Sequence, residues 1–431
     1  MSACGSERAR KLSGSYYTPN DVARFFWNEF FLHNDLTDAA AAAEFLEQHK
    51  FIEPSVGAGA LFFALLERLA LAGLPPAQFS KIEVDLVDIN RQALAFIRRN
   101  VRNLERTLGV SFPNVRFSCV DFRKANYTKE TKPLVFFGNP PFVANEKGSS
   151  PWKNLFADFL EKCLRDAGAS GSVHFILPVS IAFSRDYRGL RQLLQQRPRK
   201  VALSHFDNIP DTLFKAGKPL HDNTNKANSQ RCSILTVLPS DTPIVFSTKL
   251  HRWSKKERHK ILGQSPNYLN VTDYDFDDQI PRPENERLLR YLATAKDAPV
   301  FGGLIKKTGK YSLCVAGVAR NYIGIRESAG SGVHNLGFDR KVDFLFALNL
   351  VTSDLFQDYW LTIGDGFHVT KSNIYDFPMS HSVSKALARN QQKVKRLWDQ
   401  RNAFAKSKLN SGKPTASYDF SDVIPSLYLE L

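Results

Sequence analysis

Phe51-Ile52-Glu53-Pro54-Ser55-Val56-Gly57-Ala58-Gly59 leads directly into Ala60-Leu61-Phe62-Phe63-Ala64-Leu65-Leu66. The first part reads as a short apolar strand that ends in a glycine turn, and the second as a helix over residues 60–72. Gly57 and Gly59 carry no side chain, so a ligand can approach the backbone of the turn closely. The third glycine of the GxGxxG dinucleotide pattern is missing, because Phe62 stands in its place. That argues against NAD and leaves room for another nucleoside.

Working outward, strands and helices alternate. A helix is predicted over 20–32, opening after Thr18-Pro19 with Asn20 and Asp21 as capping types. Strands are predicted over 82–87, 115–120, 134–137, 173–177 and 234–238. Helices are predicted over 92–108 and 156–167. Such alternation indicates a mainly parallel α/β sheet. After about Asp241 it fades into short strand-like pieces, turns and a basic helix over about 384–408. The expected division is therefore a domain over 1–240 and a mixed α+β domain over 241–431.

In a parallel α/β sheet, ligands bind beyond the carboxyl ends of the strands. Glu53, Asp88, Asp121 and Asn139 fall at four such ends. A carboxylate at Asp88 can accept both ribose hydroxyls of a nucleoside, or alternatively cap the helix that follows. Asp121 can accept from an adenine amino group, and Phe122 beside it can cover the adenine face.

Phe136-Phe137-Gly138-Asn139-Pro140-Pro141-Phe142 is the most specific signal. An exocyclic amino nitrogen is a poor nucleophile, because its lone pair is delocalised into the ring. Two acceptors for its N–H groups favour a pyramidal nitrogen, and the Asn139 side chain and the Pro140 carbonyl are two such acceptors. The prolines stiffen the loop that holds them. Phe142 offers a flat apolar face for a base turned out of its stack.

Charge is unevenly spread within a net of +15: residues 1–100 hold 10 Lys and Arg against 12 Asp and Glu, and residues 101–431 hold 48 against 31. A basic excess confined to the later chain suits a polyanionic partner. The 5 cysteines, Cys4, Cys119, Cys163, Cys232 and Cys314, form no CxxC pair, so they suggest neither a zinc site nor a disulfide framework and fit a reducing cytoplasm. No apolar run is long enough to predict a membrane span, and Met1 to Lys11 lacks an apolar signal-peptide core.

These motifs together resemble the S-adenosylmethionine (SAM)-dependent amino-methyltransferases of DNA, in the gamma arrangement of the adenine-N6 enzymes of restriction–modification systems. Gly14-Ser15-Tyr16-Tyr17-Thr18-Pro19 is similar to the family's N-terminal SAM-contact motif, and Glu53 to Gly59 to its glycine motif. Asn139-Pro140-Pro141-Phe142 is similar to its catalytic motif, with Phe where many members have Tyr. Phe206-Asp207-Asn208-Ile209-Pro210-Asp211-Thr212-Leu213-Phe214 resembles the late motif whose aromatic packs on the flipped base, here Phe214.

The resemblance implies a Rossmann-like catalytic domain followed by a target-recognition domain. It implies Asn139, Pro140, Phe142 and Phe214 as catalytic residues. Tyr17, Thr18, Pro19, Glu53, Ser55, Gly57, Gly59, Asp88, Ile89, Asp121, Phe122 and Asn139 would bind the cofactor. The implied partners are double-stranded DNA and a cognate restriction endonuclease. Asn-Pro-Pro-aromatic also occurs in methyltransferases of RNA bases and of protein glutamine, which remain the alternative. The segment 364–371, Gly-Asp-Gly-Phe-His-Val-Thr-Lys, resembles a recurrent C-terminal segment of related enzymes and has no role that the sequence explains.

Overall fold

The structure, a computed structural model, describes residues 18–214, 230–274, 278–410 and 413–428. The chain divides into two compact units, Met1–Asp273 with Asp277–Ile280, and Tyr274–Phe276 with Pro281–Leu431.

In chain order the first unit contains α1 (Asn20–His33), α2 (Ala39–Gln48), β1 (Lys50–Glu53), α3 (Ala60–Leu71), β2 (Val84–Val87), α4 (Arg91–Leu108), β3 (Val115–Ser118) and β4 (Leu134–Gly138). There follow α5 (Leu155–Asp166), β5 (Ser172–Pro178), α6 (Arg188–Gln195), β6 (Arg199–Phe206), β7 (Cys232–Pro239), β8 (Ile244–His251), α7 (Arg258–Ile261) and β9 (Leu269–Asn270). The strands form one sheet in the order β3-β2-β1-β4-β5-β7-β6-β8-β9. β1 runs parallel to both β2 and β4, and β4 parallel to β5. β7 is antiparallel to its neighbours β5 and β6.

The central strands are buried along their whole length, as expected of parallel strands with helices on both faces. That explains why 51–52 and 134–137 read as unbroken apolar runs rather than as alternation. Chain order reverses between β1 and β4, so a crevice opens beyond their carboxyl ends.

Six elements of the first unit, α2, α6, β6, β8, α7 and β9, escaped the sequence reading. α2 is an alanine-rich helix whose first turn is capped by Asp38, which accepts from the Ala41 N–H. β6 opens on Arg199-Lys200, which masked its apolar continuation. β8 pairs with β6 from Lys200↔Ile244 to Phe206↔His251. The division expected near residue 240 therefore falls between two strands of one sheet, and the first compact unit continues to Ile280.

The second unit contains α8 (Glu286–Thr294), β10 (Tyr311–Ala316), β11 (Ile325–Arg326), β12 (Val333–Phe338), α9 (Lys341–Thr352), α10 (Asp354–Ile363), α11 (Lys371–Tyr375), α12 (His381–Asp399), β13 (Ala405–Asn410) and β14 (Lys413–Tyr418). Its five strands form an antiparallel sheet in the order β12-β10-β11-β14-β13. A separate core fills it, with Phe356, Tyr359, Trp360 and Phe377 at the centre.

Residues 364–371 acquire a structural role here. The Asp365 carboxylate accepts from the Phe367 and His368 N–H groups at 2.7 and 2.6 Å and meets His368 Nδ1 at 2.6 Å. Trp360 Nε1 donates to the His368 carbonyl at 2.8 Å. The segment is thus an aspartate-centred turn that joins α10 to the capping box of α11.

Candidate active site

Four strand ends build the site. β1 ends at Glu53, and the next residues must leave the sheet and start α3. Gly57 and Gly59 do this with φ of +52° and +80°, the left-handed region that costs other residues strain. At Gly59 space matters as well, since a Cβ would come within 3.1 Å of the Phe63 ring and 3.3 Å of Ile97. At Gly57 a Cβ would meet nothing within 4 Å, so conformation alone selects glycine there.

Asp88 holds this turn. Its Oδ2 accepts from the Gly57 N–H at 2.9 Å and its Oδ1 from the Asn90 N–H at 2.8 Å. The helix-cap alternative for Asp88 is excluded, because Asn90 caps α4 by accepting from the Gln92 N–H at 2.9 Å. Asp88 thus fixes the glycine turn of β1 from the end of β2. Ile89 beside it is 75% exposed, an apolar surface at the rim of the crevice.

Glu53 is 2% exposed, and its Oε2 has no hydrogen-bond partner. Burial, and then the negative charge of Asp88, push its carboxyl well above the ordinary carboxylate range, while the Phe62 N–H acts in the opposite direction. An orphaned acceptor of this kind suits a ligand that brings a donor, above all a cationic one.

Asn139 follows β4. Its side-chain Nδ2 donates to Thr18 Oγ1 at 3.4 Å, and its backbone carbonyl accepts from Ser55 Oγ at 3.3 Å. The structure therefore brings together Thr18, Ser55 and Asn139, with Pro19 as the residue that opens α1. Asn20 is the first residue of that helix rather than its cap. Downstream, the Leu155 N–H donates to the Val143 carbonyl at 2.8 Å, tying the loop to α5. Phe142 meets Phe156 edge-on at 6.2 Å and Phe214 at 6.3 Å with an interplanar angle of 74°. Two aromatics separated by 72 positions, Phe142 and Phe214, thus stand side by side.

Two expected residues are placed differently. The Asp121 carboxylate accepts from the Arg123 backbone N–H at 3.0 Å and from its guanidinium at 2.7 and 3.1 Å. The Arg123 hydrogen bond holds its pKa below the usual value. In the structure Asp121 is the cap of a single 3-10 turn rather than an acceptor turned to a base. That turn rotates Phe122 inward. The ring is 1% exposed and packs against Phe159 at 5.1 Å and Phe136 at 6.0 Å, so it presents no open face, and the adenine-covering role expected of it is corrected. Tyr17 and residues 14–16 lie outside the described residues, as do 215–229.

The sequence reading missed the residues that hold the late motif. Asp207, 0% exposed, accepts from Arg231 Nε at 2.8 Å and Arg252 Nε at 2.6 Å. Trp253 Nε1 donates to Asp211 Oδ2 at 3.2 Å. Arg252 and Trp253 lie beyond residue 240, where the domain division had hidden them, and isolated Arg and Trp residues form no motif.

No protein-family model matches the chain, and no curated protein matches it. Among solved structures, the type IIL restriction–modification enzyme MmeI in complex with DNA superposes with a TM-score of 0.51 at 12% identity, over 93% of this chain and 73% of that one. The likeness is one of fold, a mainly parallel α/β sheet in Rossmann-like strand order. A nuclease-deletion mutant of the type ISP restriction–modification enzyme LlaGI with a DNA substrate mimic gives 0.47 at 13% identity, over 70% of this chain and 34% of that one. The methyltransferase subunit of a type I restriction–modification system from Streptococcus thermophilus gives 0.38 at 15% identity, over 66% and 59%. The chain spans about a third of LlaGI, and 31% of the protein in a DrdV–DNA complex. The fold class expected from the sequence, a mainly parallel sheet followed by a mixed α+β unit, is the one observed.

Proposed function

We propose that this chain transfers a methyl group from SAM to the N6 amino group of adenine in a specific double-stranded DNA sequence, with the base flipped into the site at Asn139. The observation that carries the reading is the constellation at the end of β4. Asn139 is tied to Thr18, and Phe142 and Phe214 stand 6.3 Å apart beside it.

The residues at the neighbouring strand ends fit the cofactor. Asp88, fixed by two backbone N–H groups, suits the ribose hydroxyls, and the unpartnered Glu53 oxygen suits a cationic amino group. Thr18, Pro19, Ser55, Gly57, Gly59 and Ile89 complete the lining, with Tyr17 preceding them in sequence. When bound, SAM supplies an electrophilic methyl group on a positively charged sulfur.

The chain's own residues present the amino group. Asn139 Oδ1 and the Pro140 carbonyl accept its two N–H groups, and Pro141 restricts the loop so that little reorganisation is needed. Phe142 and Phe214 hold the base by its faces and edge. Residues 281–431 are assigned to target recognition, and a cognate endonuclease is assigned as the functional partner in the cytoplasm.

Expression in a host free of DNA methylation, followed by mapping of modified bases, tests this. N6-methyladenine at one sequence is expected. Asn139→Ala is expected to lower the transfer rate by ~10²–10³ with SAM affinity near the parent value. Phe142→Ala is expected also to lose base retention worth roughly 1–3 kcal/mol. Unmodified DNA accompanied by methylated RNA or protein glutamine would move the substrate to the alternative class.

A further inference from the structure

Arg258 lies on α7, far in sequence from every motif discussed so far, and its side chain is 10% exposed. Nε donates to Asp21 Oδ2 at 2.6 Å and Nη2 to Asp21 Oδ1 at 3.2 Å. Nη1 donates to the Thr212 carbonyl at 2.6 Å and Nη2 to the Leu213 carbonyl at 2.7 Å. Asp211 Oδ2, itself held by Trp253, lies 3.5 Å from Nη1.

The two sets of partners belong to different walls of the site. Asp21 is in the first turn of α1, three residues after Thr18, and Thr18 accepts from Asn139. Thr212 and Leu213 immediately precede Phe214, whose ring meets Phe142. These links close a ring around the crevice: Asn139 to Thr18, along α1 to Asp21, through Arg258 to Leu213, then Phe214 to Phe142 and back along the loop to Asn139. Arg258 fastens residue 21 to residues 212–213. Surface charge does not explain this placement, since a buried guanidinium needs its donors satisfied and the planar fork of arginine can serve an acid and two carbonyls at once.

We propose that Arg258 is a positioning residue that couples the cofactor-side segment, residues 18–21, to the base-side segment, residues 212–214. The inference rests on the proposed methyltransferase reading. Ordering of residues 18–21 by SAM orders Phe214 through Arg258, so cofactor occupancy strengthens the hold on a flipped base. The coupling is reciprocal: a flipped base held by Phe214 tightens SAM by the same factor.

The test uses the full chain and a duplex carrying 2-aminopurine at the mapped target position. Fluorescence titrations with and without saturating SAM give the coupling as a ratio of affinities for the flipped state, alongside single-turnover transfer rates on the matching duplex with adenine at the target, and thermal melting. In the parent a ratio in the range of ~5–150 is expected. Arg258→Lys retains the charge but cannot bridge both segments, and should bring the ratio to within about twofold of one. Asp21→Asn, at a side chain 46% exposed, should lower the ratio without loss of fold and serves if Arg258→Lys is poorly folded. The double variant should fall no further than Arg258→Lys alone. A simple loss of stability would lower the melting temperature and leave the ratio unchanged. Parent protein that transfers methyl groups while both variants keep its full ratio overturns this proposal alone. Parent protein with no SAM-dependent transfer to DNA overturns the functional reading and this proposal with it.

Discussion

Glu53 sits at the end of β1 with one carboxylate oxygen unmatched, and Asp88 lies close enough to raise its pKa further. A pKa raised this way shifts the carboxyl toward its protonated form, and a cationic amino group within hydrogen-bond reach shifts it back toward the carboxylate. Cofactor binding then releases a proton, so affinity rises with pH, by up to about tenfold per pH unit while one full proton is released. Titration calorimetry of SAM at pH 6, 7 and 8, in buffers of different ionisation enthalpy, should show this slope. Glu53→Gln should flatten it and weaken binding at pH 8. An unchanged slope in that variant would place the proton elsewhere. At this scale the sequence was informative about placement, since Glu53, Asp88 and Asn139 stand at strand ends as expected. It misled where a local hydrogen bond decides the outcome. Asp121 has Arg123 two positions away, and that pairing, with the turn it caps, draws the Phe122 ring into the core.

The elements expected from sequence within the first unit lie within two residues of those observed at most boundaries, because their apolar runs are bounded by glycine, proline and capping residues. In the second unit less was legible. Its strands are short, two to six residues each, and β11 pairs with a partner far along the chain, Ile325↔Tyr418, which leaves only weak periodicity. The basic helix was expected over 384–408 and runs over His381–Asp399, capped at its start by Ser380, with the later residues entering β13. Val383, Ala386, Leu387 and Val394 form its buried stripe. Lys385, Lys393, Lys395 and Arg396 lie on its exposed surface, and its first acidic residue is Asp399. If this surface contacts phosphates, each contact releases counterions. Replacing Lys385, Lys393 and Arg396 with glutamine should reduce the slope of log affinity against log salt by about 0.9 per lost contact, equally on cognate and non-cognate DNA. Filter binding or anisotropy over a salt series measures it, and a change confined to the cognate sequence would instead mean base reading.

Among the described residues each compact unit has its own buried hydrophobic core. Among the described residues no helix is long and apolar enough to cross a membrane. Because each unit carries its own core, calorimetry should resolve two unfolding transitions rather than one. The proposed cofactor residues all belong to the first unit, so SAM should shift one transition only. At a hundredfold excess over the dissociation constant the shift corresponds to ~2.7 kcal/mol. A single transition, or equal shifts of both, would show that the units unfold together. The nine-stranded sheet has a further property at its margins. It ends at β3, which is four residues long, and at β9, which spans two. A long bare margin would offer a row of unpaired amide and carbonyl groups to any passing extended chain, inviting edge-to-edge aggregation. On the β3 side, where β3 pairs with β2 along its whole length and leaves a margin of only four residues, a stray polypeptide finds little to zip onto.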